Sequence, residues 1–199
     1  MTSITPADSV AAAIYDGKTH LLLAARNLSI RVILTKSAAY FLNSQTLEQP
    51  IVAALASYPT VDAVYQDHDE MAESWTRGSG ILHINLRKWA HILVVAPLSA
   101  STLAKIVNGI CDSLLTNVIR AWDTSGLVDG DKKRILVAPA MNAAMWEQPI
   151  TALQLRVLEE DWGIQVDGDD GKETHCPTKL GWFEVLRPIE ASTQEIIPI

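Results

Sequence analysis

At 199 residues, 48% of them hydrophobic, the chain can bury one substantial core, and a single domain over residues 1–199 is the expectation, with 1–17 and 190–199 as flexible ends. A net charge of -7 without a basic arm argues against a nucleic-acid partner or an anionic membrane surface, and no apolar run reaches the ~18 residues of a membrane span. The two cysteines, Cys111 and Cys176, lie outside any CxxC spacing, so no disulfide framework and no metal site are indicated; with no secretory signal in residues 1–17, the expected location is the cytoplasm.

Strand-like and helix-like patterns then alternate, which predicts an α/β fold around a parallel sheet. Residues 21–25 and 30–35 read as the first two strands, 47–56 as a short helix and 58–65 as a turn-bounded strand. Residues 85–90 form a helical turn ahead of a strand at Ile92. Beyond Ser101, the side chains of Leu103, Ile106, Val107 and Ile110 share one helical face, with Ser99 or Ser101 as the N-cap. Asp112 is placed to cap a second helix, in which Leu114, Leu115, Val118, Ile119 and Trp122 recur at helical spacing. Residues 150–161 follow Pro149 as a third amphipathic helix, and the polar, Gly-rich stretch 167–172 reads as a surface loop. One connection is too short: only residues 26–29 separate the first two strand patterns, whereas a parallel crossover needs about a dozen residues. Either those strands form an irregular hairpin, or a crossover segment is missing.

Two strand-to-loop junctions repeat one layout. Ile92-Leu93-Val94-Val95-Ala96-Pro97 runs into Leu98-Ser99-Ala100-Ser101-Thr102, and Ile135-Leu136-Val137-Ala138-Pro139 runs into Ala140-Met141-Asn142-Ala143-Ala144-Met145-Trp146. Each is an apolar run ending in Ala-Pro, then small, hydroxyl or amide residues, then a helical pattern. In open α/β sheets, ligands sit outside the carboxyl ends of the strands, where loop backbone and helix N-termini offer unpaired N–H groups. Two such loops predict one shared site.

The string Ile81-Leu82-His83-Ile84-Asn85-Leu86-Arg87-Lys88-Trp89-Ala90, followed by Ala96-Pro97-Leu98-Ser99-Ala100, resembles the flavin-dependent cysteine decarboxylases, in particular the phosphopantothenoylcysteine decarboxylases and their halotolerance-type fungal relatives. Pro139-Ala140-Met141-Asn142-Ala143-Ala144-Met145-Trp146 is similar to the PxMNxxMW signature of the same family. The resemblance runs roughly from Leu21 to Trp162 and implies a three-layer Rossmann-like flavoprotein with a mostly parallel sheet, here lacking the first crossover segment. It also implies an FMN cofactor and a lyase of coenzyme A biosynthesis, which removes CO2 from 4'-phospho-N-pantothenoylcysteine to give 4'-phosphopantetheine. Oxidation of the substrate thiol to a thioaldehyde would create the electron sink that the carboxylate lacks, and the cofactor carries that step. Family members assemble as trimers, so a homotrimer or a heterotrimer with related chains is implied. The alternative, drawn from the fungal relatives, is a non-catalytic subunit that binds and inhibits a protein phosphatase.

By the same resemblance His83 is the catalytic residue, assisting proton transfer or polarising the substrate. Asn142 would bind the substrate carboxylate, with Ala140, Met141 and Met145 beside it. Ser37 and Phe41, after the second strand, and Ser99, Ala100 and Thr102 would approach the FMN. Each has a plain structural reading too: a buried histidine, a turn or cap asparagine, helix-capping serines, apolar core. The chain departs from the family at three points: it has no Gly-Ser loop after the first strand pattern, Ser101 replaces a common Asn, and no late Cys-Gly-rich flap follows Leu186-Arg187-Pro188. Cys176 has no Gly-rich successor and reads as a surface thiol.

Overall fold

The computed structural model describes residues 8–14, 28–43, 52–72, 74, 76–164 and 181–188. Six strands form one sheet: β1 (Asp8–Ile14), β2 (Leu28–Leu34), β3 (Val61–Gln66), β4 (Ile92–Leu98), β5 (Arg134–Pro139) and β6 (Phe183–Val185). Their order is β3-β2-β1-β4-β5-β6 and every pairing is parallel. A parallel sheet has both faces covered, and β2, β4 and β5 are correspondingly rich in buried apolar residues. Alternation sorts their side chains onto two faces. Ile30, Val32, Leu34 and Val94 pack with Ala38, Leu42 and Leu55, from α1 (Lys36–Asn43) and α2 (Val52–Leu55). Ile33, Leu93, Val95, Ile135 and Val137 face the opposite, larger layer. That layer consists of α3 (Leu82–Trp89), α4 (Ala100–Val107), α5 (Leu114–Arg120), the short α6 (Ala143–Trp146) and α7 (Pro149–Arg156). The result is the expected three-layer α/β arrangement, with a sheet that is wholly parallel.

Strand order locates the ligand crevice before any side chain is considered. From β1 the chain builds outward through β2 to β3, then returns to β4 on the other flank of β1 and builds outward again. Between β1 and β4 the order reverses, which is where doubly wound sheets bind ligands at their carboxyl edge.

Several sequence expectations are corrected. The first strand is residues 8–14, within the stretch expected to be a flexible end; it lies at the centre of the sheet, hydrogen-bonded to β2 and β4. Residues 21–25, expected as that strand, lie outside the described residues, as do 167–172, 190–199 and Cys176. With β1 at 8–14, residues 15–27 remain for the connection to β2, enough for the dozen or so that a crossover requires. The parallel pairing of β1 with β2 excludes the irregular hairpin. Asp112 does not cap α5: Ser113 does, accepting from the Thr116 N–H, while Asp112 pairs with Lys105 at 2.8 Å. That ion pair holds the Asp112 carboxyl below its usual range. Ile110 leaves the apolar face of α4, because the helix stops at Val107 and Gly109 turns the chain at a φ of 68°. Ile110 is exposed.

Candidate active site

The helix that carries His83 begins earlier than its β-branched start indicates. Ile81 is extended and Leu82–Trp89 is helical, with Arg87 and Lys88 in the last turn, where positive charge suits the helix dipole. Leu86 and Arg87 are buried. Since α3 feeds β4 through Ala90 and His91 alone, it must run against the strands. Its first turn, with His83, therefore stands at the carboxyl edge of the sheet. The far end of the helix is pinned: Lys133 Nζ donates to the Arg87 and Lys88 carbonyls at 3.2 and 2.9 Å, and Arg87 pairs with Asp129 at 3.2 Å, both side chains being buried.

A 3-10 turn, Asp67–Met71, follows β3 at the same edge. Each of its three carboxylates reaches a different partner. Asp69 accepts from the Gln66 N–H at 2.6 Å, closing the turn on itself. Asp67 accepts from the Leu114 N–H at 2.9 Å, satisfying a donor in the first turn of α5. Glu70 Oε1 lies 2.6 Å from His83 Nδ1, and the two side chains are 12% and 24% exposed. Glu70 was not singled out in the sequence.

The two Ala-Pro junctions meet, as their common layout predicts. Leu98 is the register partner of Pro139, and the Ala140 N–H donates to the Leu98 carbonyl at 3.0 Å. Ser99 caps α4: its hydroxyl accepts from the Thr102 N–H at 3.2 Å and donates to Thr102 Oγ1 at 3.1 Å. This leaves Ala100 and Ser101 with N–H groups that have no partner within the helix. Asn142 caps α6 in turn, its Oδ1 accepting from the Ala144 N–H at 2.8 Å while Nδ2 stays available as a donor.

The remaining predicted residues divide. Met141 packs against the larger core together with Trp146, whereas Met145 is exposed. On α1, the cap is Thr35, whose Oγ1 accepts from the Ala38 N–H at 3.2 Å; Ser37 is an exposed first-turn residue and not the cap. Phe41 is exposed, edge-on to Tyr40 with ring centroids 5.6 Å apart. Among the described residues no hydrogen bond joins His83 to Ser99 or Asn142; what they share is the carboxyl edge. Two cavities lie elsewhere. One of about 600 Å³ is lined by Trp146, Pro149, Leu153, Arg156, Glu159 and Arg187, and one of about 540 Å³ by Ile106, Ile110, Arg120, Trp162, Trp182 and Phe183. Among the described residues no group of three His, Cys, Asp or Glu could hold a metal ion, and no helix is long and apolar enough to cross a membrane.

A wholly parallel 3-2-1-4-5-6 sheet with polar loops at its switch point is matched by comparison with known proteins: the model of the family described as Flavoprotein fits residues 9–190. The chain belongs to the Flavoprotein family. It is 44% identical over 132 residues to a phosphopantothenoylcysteine decarboxylase of Arabidopsis thaliana, covering 66% of this chain and 54% of that one. With the phosphopantothenoylcysteine decarboxylase of Mus musculus it shares 37% identity over 177 residues, 88% of this chain and 76% of the relative. Among solved structures, the FMN binding protein AtHal3 superposes with a TM-score of 0.61 at 37% identity, covering 78% of this chain and 77% of that chain. The chain spans about half the length of the Arabidopsis relative.

Proposed function

We propose that this flavoprotein binds FMN and decarboxylates 4'-phospho-N-pantothenoylcysteine to 4'-phosphopantetheine, in the cytoplasm, as one subunit of a homotrimer or of a heterotrimer with related chains. One observation carries the reading: His83 stands at the carboxyl edge of the sheet, paired with a carboxylate, and the same edge carries two capped loops that meet at Leu98 and Ala140. The decarboxylase names of the plant and mouse relatives and the FMN named for AtHal3 support it.

The loop after β4 suits a flavin. It borders the β1/β4 switch point, Ala100 has no bulk to obstruct a flat ring, and the N–H groups of Ala100 and Ser101 suit polar ring atoms or ribityl oxygens. Thr102, Ser37 and Phe41 complete the cofactor-facing set in this proposal. The Ser99 hydroxyl is already used twice by the cap, so Ser99 contributes its backbone. When bound, FMN supplies a two-electron acceptor for the substrate thiol and returns the pair after CO2 has left.

The chain's own residues bind, orient and move protons. Asn142 Nδ2 donates to the substrate carboxylate, since Oδ1 is held by the Ala144 N–H. Ala140 and Met141 form the floor beside it, and Met145 closes over the substrate with an apolar side chain. His83 accepts the proton that leaves the substrate thiol and returns one to the decarboxylated carbon, a role worth about 10²–10⁴-fold in rate. Exposure of Phe41 and Met145 at this edge is what a neighbouring subunit would cover. The test is His83→Ala: release of CO2 from the substrate by the FMN-loaded protein should be lost while the oligomer measured by light scattering persists. Undiminished turnover would overturn the assignment.

A further inference from the structure

We propose that Glu70 is a positioning residue for His83, holding its hydrogen on Nδ1 and leaving Nε2 bare toward the substrate. This rests on the reading that His83 faces the reacting substrate. The contact is short, 2.6 Å from Oε1 to Nδ1, and both side chains are largely shielded, unlike the neighbouring His68–Asp69 contact, where His68 is 73% exposed. Which imidazole nitrogen carries the hydrogen is set by the hydrogen bond that the other makes. A carboxylate is an acceptor only, so its partner at Nδ1 must be the donor.

Glu70 is held where it is by the turn around it. Asp69 folds back to the Gln66 N–H and Asp67 reaches across to the Leu114 N–H, so the turn is anchored both to β3 and to α5. With both neighbours committed, the backbone at Glu70 has little freedom and its side chain spans to α3. The second oxygen, Oε2, is buried and has no hydrogen-bond partner among the described residues. His83 is thus the group that this carboxylate serves. The placement is also electrostatic: His83 sits in the first turn of α3, at the positive pole of the helix, and the Glu70 side chain lies against it. Glu70 offsets that pole when His83 takes up a proton, the function a buried carboxylate performs for a general-base histidine. On the turn itself, Asp67 and Asp69 are engaged by backbone N–H groups and His68 faces solvent.

The experiment is a long-range 15N–1H correlation of the histidine side chains in the purified chain, with the His83 signal identified as the one lost in His83→Ala. Wild-type protein should show Nδ1 protonated and Nε2 bare. Glu70→Ala should lose that preference, and Glu70→Gln, whose amide oxygen still accepts, should retain part of it. Glu70→Ala should also lower kcat by on the order of tenfold or more with KM within about twofold, and Glu70→Gln should recover part of the loss. A stability role alone would lower the melting temperature and leave the tautomer unchanged. Wild-type His83 carrying its hydrogen on Nε2, or the wild-type tautomer persisting in Glu70→Ala, overturns the proposal. The wild-type tautomer in a chain without turnover contradicts the decarboxylase reading and leaves the positioning role standing.

Discussion

The strand ends after β4 and after β5 share a sequence layout and part company within a few residues. After β4, Ser99 caps an eight-residue helix whose Leu103 and Ile106 are buried in the larger core. After β5, Asn142 caps a four-residue helix with no buried residue, followed by Gln148 and the start of α7. One junction is bolted to the interior and the other is an open arm, tied down by the Ala140–Leu98 bond, by Met141 and Trp146 on the core, and by the Thr151 hydroxyl on the Met145 carbonyl at 2.6 Å. The difference suits two tasks. A flat cofactor needs a rigid rim, whereas a substrate that enters and leaves needs a margin whose ordering costs little.

If this contrast is right, stability and turnover should respond separately on the two sides. The largest stability loss is expected for Leu103→Ala, fully buried behind the rigid rim, at about 2–5 kcal/mol in denaturant unfolding. A loss below about 1 kcal/mol would mean that α4 is not fixed by the core. Next comes Asp123, buried in the connection from α5 to β5, whose carboxylate gathers the N–H groups of Ser125, Gly126, Val128 and Asp129 together with the Ser125 hydroxyl. Those donors, the Asp129 N–H foremost, hold it down to about 2 from its ordinary 3.8. Because its folded value is depressed, the stability it contributes is full above about pH 4 and is lost as pH falls toward about 2. Asp123→Asn should lower the melting temperature at neutral pH, with the gap to wild type closing across that acid window; a constant gap would contradict the assignment.

Ser99→Ala should cost about 1 kcal/mol, the usual value of a lost N-cap, and weaken flavin binding through fraying of the rim. On the arm, Asn142→Ala removes a cap as well, but its helix is short and has no fully buried residue, so stability should fall by well under 1 kcal/mol while KM for the substrate rises. Equal unfolding penalties at Ser99 and Asn142 would erase the distinction between the junctions. Smallest of all, Met145→Ala should move stability by no more than about 0.5 kcal/mol, as befits an exposed side chain, with its effect confined to kinetics.

How far the sequence could be read follows the same physics. The apolar strand patterns, a serine cap at Ser99 or Ser101 and the meeting of the two Ala-Pro loops were legible because each is written locally, in periodicity and cap chemistry. β1 was not: Asp8-Ser9-Val10-Ala11-Ala12-Ala13-Ile14 is alanine-rich and weak in strand preference, and pairing with β2 and β4 on both flanks decides its conformation. The start of α3 was hidden for a related reason. Ile81, Leu82 and Ile84 read as extended, whereas burial of Leu86 and Arg87 and the pinning of the C-terminus by Lys133 make the segment helical. Glu70 was invisible because its meaning is a contact thirteen positions away across a turn; in sequence it is the third acidic residue of Asp67-His68-Asp69-Glu70. His83 and Asn142 were singled out from motif context, whereas their hydrogen-bond partners, Glu70 and the Ala144 N–H, are set by the fold.

The central claim is that the carboxyl edge at the β1/β4 switch point is a flavin site, and it is tested most directly by the visible absorption spectrum of the purified chain titrated with FMN. The account predicts a saturable, perturbed flavin spectrum that Ser99→Ala weakens. A spectrum identical to free FMN at every protein concentration would contradict it.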